Sequence, residues 1–209
     1  MATAPEYATS DSSAQEWREL LEEILPRQGE WSEEEYLALT DHRNRLIEFT
    51  DGFLEALPTP TEEHQMFLKF LLLAFVNGFE PRGGIVLFSP LRLRIRPGKF
   101  REPDLLLLLS AADPRRHNRF WEGADLALEV VSDDEPERDL VDKRGDYAEA
   151  SVPEYWIVNP RTQTITVLRL RAGAYDEAGV YRRGESAMSV LRPEFSIAVA
   201  EVFDSARVR

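Results

Sequence analysis

Cysteine is absent from the 209 residues of this sequence, which excludes disulfide bonds and thiolate metal ligands. Only three histidines are present, and without cysteine beside them they argue against a structural zinc site. The sequence also has no G-x-S-x-G elbow, no glycine-rich phosphate-binding loop and no dinucleotide-binding fingerprint. The sites of serine hydrolases, nucleoside triphosphatases and dinucleotide-dependent enzymes are therefore not indicated.

No apolar run in the sequence is long enough to cross a membrane. The longest, MFLKFLLLAFVNGF at 66–79, is shorter than the about 20 residues of a spanning helix and contains Lys69. The N-terminal residues show neither the basic nor the apolar region of a secretory signal. We therefore expect a cytoplasmic protein without a membrane partner, which also suits the absence of cysteine.

Basic residues are in the minority, with 25 Lys and Arg against 38 Asp and Glu, and the net charge is −13 at pH 7. This balance argues against non-specific nucleic-acid binding by the protein as a whole, although it does not exclude a local basic groove. A site that gathers carboxylates around a divalent cation would contribute to the same balance. Composition leaves both interpretations open.

The remaining composition is that of a globular protein, with 43% hydrophobic residues. We expect a disordered tail at 1–13, where the residues are small and polar, and a single domain at 14–209, since no internal repeat or second core is evident.

The N-terminal part of that domain predicts helices around a hairpin. Apolar residues recur at helical spacing in 13–26, and Ser32 with Glu35 forms a capping-box pattern at the start of a second helix. Asp51-Gly52 between two alternating segments predicts a β-hairpin. A long, buried helix is expected at about 61–79, with Thr61 as its N-cap.

Strands dominate the remainder of the chain. Continuous apolar runs at 104–109 and 125–131 are typical of interior strands that are covered on both faces. A helix at about 136–150 and the strand EYWIV would complete a strand–helix–strand unit, and an antiparallel pair of strands would follow it. The predicted fold class is α/β, with a central mixed sheet flanked by helices.

One of these interior strands carries a carboxylate in its middle. Glu129 stands among apolar residues in LALEVV, and because burial of an unpaired charge costs several kcal/mol, it must be exposed, paired or bound to a cation. Asp104 opens the other interior strand, directly after Pro103. If the two strands pair, both carboxylates can project to one face, where a divalent ion between them would find the oxygen ligands that Mg²⁺ prefers.

The helix that follows Glu129 offers a cation. Asp139, Lys143 and Tyr147 recur every four residues and would share one helix face. If that face packs over the strand, the Lys143 ammonium can reach the carboxylates, where it could orient a water, help it lose a proton or stabilise a developing phosphorane charge. A structural ion pair with Glu129 is the alternative role of Lys143, and Tyr147 is expected to pack against its neighbours and not to take part in the chemistry.

Three segments, taken in order, resemble the signature of the Uma-type endonuclease family, bacterial members of the PD-(D/E)XK nuclease superfamily. They are EPD at 102–104, LEVVS at 128–132 and RDLVDKRGDYAEASVPEYWIVNP at 138–160. The resemblance extends upstream to RLIEFTDG and PTPTEEHQ and covers roughly residues 30–200. It implies a restriction-endonuclease-like fold that holds Mg²⁺, with Mn²⁺ as a substitute, for phosphodiester hydrolysis.

The same resemblance implies roles for particular residues. Asp104 matches the Asp of the PD motif and Glu129 the acidic member of (D/E)XK, so both would bind the metal, with the carbonyl of Val130 as a further ligand. Two places after Glu129, where the superfamily pattern has lysine, this chain has Val131. The resemblance implies that Lys143 reaches the same point from the following helix.

Two further polar residues match the family pattern. Glu48 would assist catalysis through water or the metal, and His64, at the start of the long helix, would contact the site or the nucleic acid. The sequence departs from the pattern at Phe53, where an acidic residue is frequent, and at Asn159, where Asp is usual. The first departure would leave the outer part of the site with one acidic side chain fewer.

Two basic segments are candidates for contact with a phosphate backbone. Arg92 and Arg94 share one side of the alternating strand LRLRIRP, although such a stripe is more often the solvated side of a half-buried strand. Arg115 and Arg116 belong to the loop PRRHNRF, which connects the two interior strands.

The sequence therefore supports three functions. The first is a Mg²⁺-dependent nuclease acting on nucleic acid, with DNA as the expected substrate. The second is a binding or assembly protein that keeps the fold without useful catalysis, as the acidic charge would favour, and the third is hydrolysis of another phosphate-containing substrate. A homodimer is expected, because cutting both strands of a duplex usually takes two sites and the C-terminal hairpin offers a strand edge for pairing.

Overall fold

The computed structural model describes residues 24–41, 45–132 and 138–207, together with the isolated positions 15 and 20. The predicted tail at 1–13 and most of the first predicted helix at 13–26 lie outside the described residues. Within them, the chain forms the expected α/β architecture, built of sheets of six, five and two strands. None of the helices formed by these residues is long and apolar enough to cross a membrane.

The helices are α1 (Glu33–Thr40), α2 (Glu62–Phe79), α3 (Lys143–Glu149) and α4 (Val199–Asp204), with a 3₁₀ turn at Glu80–Arg82 and a π-helical turn at Arg138–Asp142. The strands are β1 (Ile47–Thr50), β2 (Phe53–Ala56), β3 (Ile85–Phe88), β4 (Arg92–Arg96), β5 (Lys99–Arg101), β6 (Leu105–Leu108), β7 (Phe120–Trp121), β8 (Leu126–Val130), β9 (Glu154–Asn159), β10 (Thr164–Arg171), β11 (Ala174–Arg182), β12 (Ser186–Met188) and β13 (Ser196–Ala198).

The six-stranded sheet has the order β11-β10-β9-β8-β6-β3 and is mixed, because β8 and β9 run parallel and the other neighbours antiparallel. Its two faces are both covered. Leu105 and Leu107 join the core beneath α2 and α4, whereas Leu106 and Leu108 join a second core that includes residues of α3 and β4. This double coverage explains why β6 is a continuous leucine run rather than an alternating strand.

The five-stranded sheet, of order β2-β1-β5-β4-β7, packs against α1. Tyr36 of α1 stacks on Phe49 of β1 with ring centroids 5.0 Å apart. The predicted capping box is present, since the Ser32 side chain accepts a hydrogen bond from the Glu35 amide and the Glu35 carboxylate accepts one from the Ser32 amide. The start of α1 is therefore confirmed as the sequence predicts it.

The segment that leads into α3 is more irregular than the predicted helix at 136–150. The described part begins with the π-helical turn at Arg138–Asp142, and α-helix follows from Lys143. Residues 133–137 and the side chain of Asp139 lie outside the described part, so the predicted pairing of Asp139 with Lys143 does too.

The turn between β1 and β2 forms at Asp51-Gly52, as predicted, with φ values of 48° and 89°. Positive φ at both central residues is what the tight hairpin turn requires. Gly52 is also sterically constrained, because a Cβ atom there would lie 2.4 Å from the carbonyl oxygen of Gly29. Gly173, in the β10–β11 turn, has a similar φ of 82° but no atom within 4 Å of such a Cβ.

These two glycines give a matched test of the hairpin. Gly173→Ala should lower the free energy of unfolding by about 1–2 kcal/mol, the cost of a left-handed conformation at a residue with a Cβ. Gly52→Ala should lower the free energy of unfolding by about 1–3 kcal/mol more than Gly173→Ala does, because the backbone at Gly29 must also move. Urea unfolding measures both, and equal losses in the two variants would contradict the close approach of the Gly29 backbone to Gly52.

Candidate active site

Pairing of β6 with β8 brings the two predicted carboxylates together. The antiparallel register sets Leu105 opposite Leu128, so Asp104 and Glu129 face each other one step further along at the same edge. The Val130 amide donates a hydrogen bond of 2.8 Å to Asp104 Oδ2, and the Asp104 amide lies 3.4 Å from Glu129 Oε2. Both side chains therefore reach the same point at the sheet edge, as the sequence predicted on the condition that the strands pair.

Glu129 is buried and is paired by α3. The Lys143 ammonium lies 2.8 Å from Glu129 Oε1, and the two side chains are 6% and 3% exposed. The hydroxyl of Tyr147, one helical turn further on, donates a hydrogen bond to the same oxygen. Burial, followed by the charge of Glu129, raises the pKa of Tyr147 well above its ordinary value, so the hydroxyl keeps its proton.

His64 joins the site from the first turn of α2. Its Nε2 lies 3.0 Å from Asp104 Oδ2. Burial alone would lower the pKa of His64, but the hydrogen bond to Asp104 and the charges of Asp104 and Glu129 outweigh it, so the pKa is raised. The α2 N-cap places the ring, because Thr61 Oγ1 accepts a hydrogen bond from the His64 amide.

Glu48 lies behind these groups. It is completely buried on β1, where its Oε2 is 2.5 Å from Arg138 Nη2 and 3.3 Å from Arg101 Nε, and its Oε1 accepts a hydrogen bond from the Glu102 amide. Arg138 also pairs with Glu55 of β2. Glu48 therefore reaches the site through Arg138 and not by facing the cavity.

A cavity of about 340 Å³ opens over the carboxylates. The charged and titratable side chains that line its polar part are Glu102, Asp104, Glu129, Lys143, Arg138, His64 and Glu63. Another part of the wall is apolar and comes from the segment before β1, the connection from β2 to α2, and α2 itself; it consists of Leu46, Leu57, Pro58, Pro60 and Phe67. The cavity thus combines a charged floor with an apolar wall.

Glu102 is a cavity carboxylate with a strongly raised pKa. Burial, followed by repulsion from Glu48, raises its pKa to about 8. The Ile47 amide donates to Glu102 Oε2 at 3.1 Å, and Arg92 Nε lies 4.0 Å from Oε1. Glu102 therefore takes up a proton far more readily than a solvated glutamate.

The arginines of β4 do not join the site. Arg92 is buried and pairs with Asp41 at 3.0 Å, and Arg94 pairs with Glu33 at 3.0 Å and Glu122 at 3.3 Å. The interpretation of this stripe as a solvated strand face is therefore wrong for Arg92. Long-range acidic partners neutralise both guanidinium groups, which leaves them poorly placed to follow a phosphate backbone.

The loop with Arg115 and Arg116 lies at the far edge of the sheet. This loop follows Leu108, the last residue of β6, whereas Asp104 precedes Leu105, the first. The two ends of the strand are about 13 Å apart, because each residue of a strand adds about 3.3 Å. Arg115 pairs with Asp113 and Asp125 at 2.8 and 2.7 Å, and Arg116 donates to the Ala111 carbonyl. The direction of β6, which the sequence pattern does not give, separates this loop from the carboxylates.

The sequence does not indicate the roles of three residues of the site. It predicts only packing for Tyr147, which both packs and donates a hydrogen bond to Glu129. Glu102 stands in the EPD motif but its role as a buried acid depends on Glu48 of another strand. Arg138 pairs with a residue 90 positions earlier, so no local spacing could have indicated it.

The donor set at the sheet edge suits a hard divalent ion. Asp104 and Glu129 offer carboxylate oxygens, and the Val130 carbonyl belongs to a residue that lines the same cavity. The described residues contain no cluster of three or more His, Asp or Glu side chains arranged to hold a metal ion. Mg²⁺ does not need one, because it binds through one or two carboxylates and takes its other ligands from water and substrate phosphates.

The chain is similar to known proteins over most of its length. The family model Uma2, described as "Putative restriction endonuclease", matches residues 33–200. Among the curated proteins, none matches. A crystal structure described as "a putative nuclease belonging to DUF820 from Anabaena variabilis ATCC 29413" is similar with a TM-score of 0.71 at 17% identity, over 87% of this chain and 100% of that chain. At that identity the likeness shows the fold, and it confirms the predicted nuclease-like architecture.

The buried ion pair gives a first prediction for this site. Lys143→Met should lower the free energy of unfolding by about 3–5 kcal/mol, because it leaves the Glu129 carboxylate buried without its cation. Adding Glu129→Gln to that variant should restore most of the loss, so the two substitutions are strongly non-additive in a urea-unfolding cycle. Additive effects would contradict the pairing.

Glu102 gives a second prediction, on pH dependence. Because its folded pKa of about 8 lies above the ordinary 4.5, the folded state binds this proton more tightly, and the corresponding stability is lost as the pH rises through 8. Glu102→Gln mimics the protonated form. Its stability relative to the unchanged protein should therefore rise by on the order of 2–4 kcal/mol between pH 4.5 and 8.5, measured by urea unfolding without divalent ions.

Glu149→Gln is the matched control. Lys99 and Arg96 lower the pKa of Glu149, so its contribution is present at neutral pH and lost in acid. Between pH 4.5 and 8.5 the control variant should therefore keep a nearly constant stability relative to the unchanged protein, because the contribution of Glu149 changes mainly below pH 4.5. The same trend for both variants would show that the environment of Glu102 is not as described.

Proposed function

The chain belongs to the Uma2 family, described as "Putative restriction endonuclease", and from that premise we propose that it is a metal-dependent endonuclease that hydrolyses phosphodiester bonds of nucleic acid, with DNA as the expected substrate. Family and fold together support a nuclease-type hydrolase. The metal, the substrate and the residue roles are the parts that we add.

One observation carries the proposal. Two acids and one cation from three separate segments meet at the floor of one cavity: Asp104 before β6, Glu129 on β8 and Lys143 on α3. Burial of a glutamate in an interior strand costs free energy that a purely structural position could avoid with an apolar residue. A function for the carboxylate explains why that cost is accepted.

Asp104 and Glu129 would hold a divalent ion, Mg²⁺ or Mn²⁺, with the Val130 carbonyl as a third protein ligand. Such an ion supplies Lewis-acid polarisation of the phosphate and eases deprotonation of water. Tyr147 keeps Glu129 in place by donating to Oε1, which leaves Oε2 on the side of Asp104. The His64 hydrogen bond orients Asp104 in the same way.

Lys143 would position the attacking water and stabilise charge on the phosphate. In the hydrolysis the water oxygen forms a bond to phosphorus, one P–O ester bond breaks, and the leaving oxygen takes up a proton. An ammonium at the edge of a buried site is well suited to the negative charge that develops. In the superfamily pattern this lysine stands two residues after the acid, where this chain has Val131. Lys143, on α3, would take its place.

Glu48 would act indirectly. Its contacts with Arg138 and Arg101 fix the guanidinium of Arg138 at the cavity wall, where Arg138 can bind a phosphate oxygen of the substrate. We keep the homodimer as part of the proposal, because β11 is the last strand of the six-stranded sheet and a second copy could pair there.

A binding or assembly protein without catalysis is the second candidate. The 2.8 Å contact between Lys143 and Glu129 favours it, since a complete ion pair already satisfies both charges without a metal. The net charge of −13 also weakens long-range attraction to DNA. Calorimetry with Mg²⁺ or Mn²⁺ separates the candidates, because an assembly protein needs no divalent ion at millimolar concentration.

Substitution of either acid tests the catalytic proposal. Asp104→Asn and Glu129→Gln should each lower the rate of DNA cleavage in Mg²⁺ by about 100-fold or more, because each removes a negative oxygen ligand. Both should also abolish Mn²⁺ binding in calorimetry. Asp113→Asn, a matched change at the opposite edge of the sheet, should leave cleavage within about twofold. Cleavage by Glu129→Gln at the rate of the unchanged protein would reject the assignment.

A further inference from the structure

The reactive groups lie at the floor of a cavity and not on an open surface. The side chains of Asp104, Glu129 and Lys143 are 14%, 3% and 6% exposed. The segment at 57–61 and the start of α2 also line this cavity. A phosphodiester can therefore meet the carboxylates only by entering the cavity.

The apolar lining of the cavity suits a nucleobase. Leu57 and Pro58 offer apolar surface against which the face of a base can pack. Hydroxyl side chains also line the cavity and can hydrogen-bond the polar edges of a base; they are Thr59, Thr61, Ser89 and Ser132. With the phosphate at the carboxylates, the cavity volume of about 340 Å³ gives room for one adjoining nucleoside.

The charges around the site do not form a track for a duplex. Among the described residues, the β4 arginines are held by acids, and the Arg115–Arg116 loop lies at the far sheet edge. Proteins that grip a duplex neutralise many phosphates with Lys and Arg, and the net charge of −13 opposes such binding. Drawing one nucleoside out of a duplex costs a few kcal/mol, a cost that an unpaired strand avoids.

We infer that the substrate is a single-stranded nucleic acid, or an unpaired segment of one, which enters with one nucleoside against the apolar wall and its phosphodiester at Asp104 and Glu129. This inference rests on the proposed nuclease function and names its substrate class. Cutting of an intact duplex is disfavoured, because the bases of a duplex are stacked and paired outside the cavity.

The test compares initial rates on four labelled substrates of the same sequence with Mn²⁺: single-stranded DNA, single-stranded RNA, blunt duplex DNA, and duplex DNA with a single-stranded tail. Methyl 4-nitrophenyl phosphate, a small phosphodiester, reports hydrolysis independently of strand binding. Single strands should be cut at least about tenfold faster than the blunt duplex, and the tailed duplex should be cut within its tail, since pairing costs a few kcal/mol. The DNA and RNA arms show which sugar the cavity accepts.

Leu57→Trp fills the cavity from its apolar wall and leaves Asp104, Glu129 and Lys143 unchanged. It should slow cleavage of the single strand by about tenfold or more, mainly through a higher KM, because it occupies the space of one base. Leu73→Trp, on the exposed side of α2, is the matched control and should change nothing. Thermal unfolding of both variants confirms that they fold.

The outcomes are distinguishable. Hydrolysis of the small phosphodiester together with equal or faster cutting of the blunt duplex would overturn the substrate inference and leave the nuclease intact. Unchanged single-strand cleavage by Leu57→Trp would also overturn it. Failure to hydrolyse any of the five compounds would reject the nuclease function, and this inference with it.

Discussion

The contact between the Glu129 carboxylate and the Lys143 ammonium is the constraint on which the candidate site depends. β8 is buried on both faces because it lies inside the six-stranded sheet, so a charge on it needs a partner from another element. The crossover from β8 to β9 supplies that partner by laying α3 over the strand. Tyr147, one turn further, adds a donor to the same oxygen. The short helix α3 thus covers the second core with Tyr147 and neutralises the charge of Glu129 with Lys143.

The ends of β6 and β8, together with the β1–β2 hairpin, place the polar groups around one cavity. Antiparallel pairing of β6 and β8 sets Asp104 beside Glu129, and the first turn of α2 brings His64 to Asp104. Glu48 of the hairpin binds Arg138, which ties the five-stranded sheet to the segment before α3. Each polar group is therefore fixed by a different element, and the apolar wall from the hairpin connection limits what can reach them. Chemistry and selectivity arise from the same packing.

Much of this arrangement could be predicted from local patterns. The leucine run of β6, the capping box of α1 and the turn at Asp51-Gly52 each depend on neighbouring residues, and each is confirmed. Glu129 could be singled out because a carboxylate in an apolar strand conflicts with its surroundings. The positions of the arginines could not be predicted from the sequence. The direction of β6 and the pairing of Arg92 with Asp41 both arise from contacts between distant segments. Patterns of two to four residues carry no information on such partners.

The central claim is that Asp104 and Glu129 share one divalent ion while Glu129 remains paired with Lys143. Anomalous scattering from a crystal soaked in Mn²⁺ tests it most directly, because the peak locates the ion without reference to activity. The account predicts a single strong peak about 2.1–2.3 Å from a carboxylate oxygen of each acid, with the Val130 carbonyl at a similar distance. No peak at these oxygens at saturating Mn²⁺, or a peak bound by other residues, would contradict it.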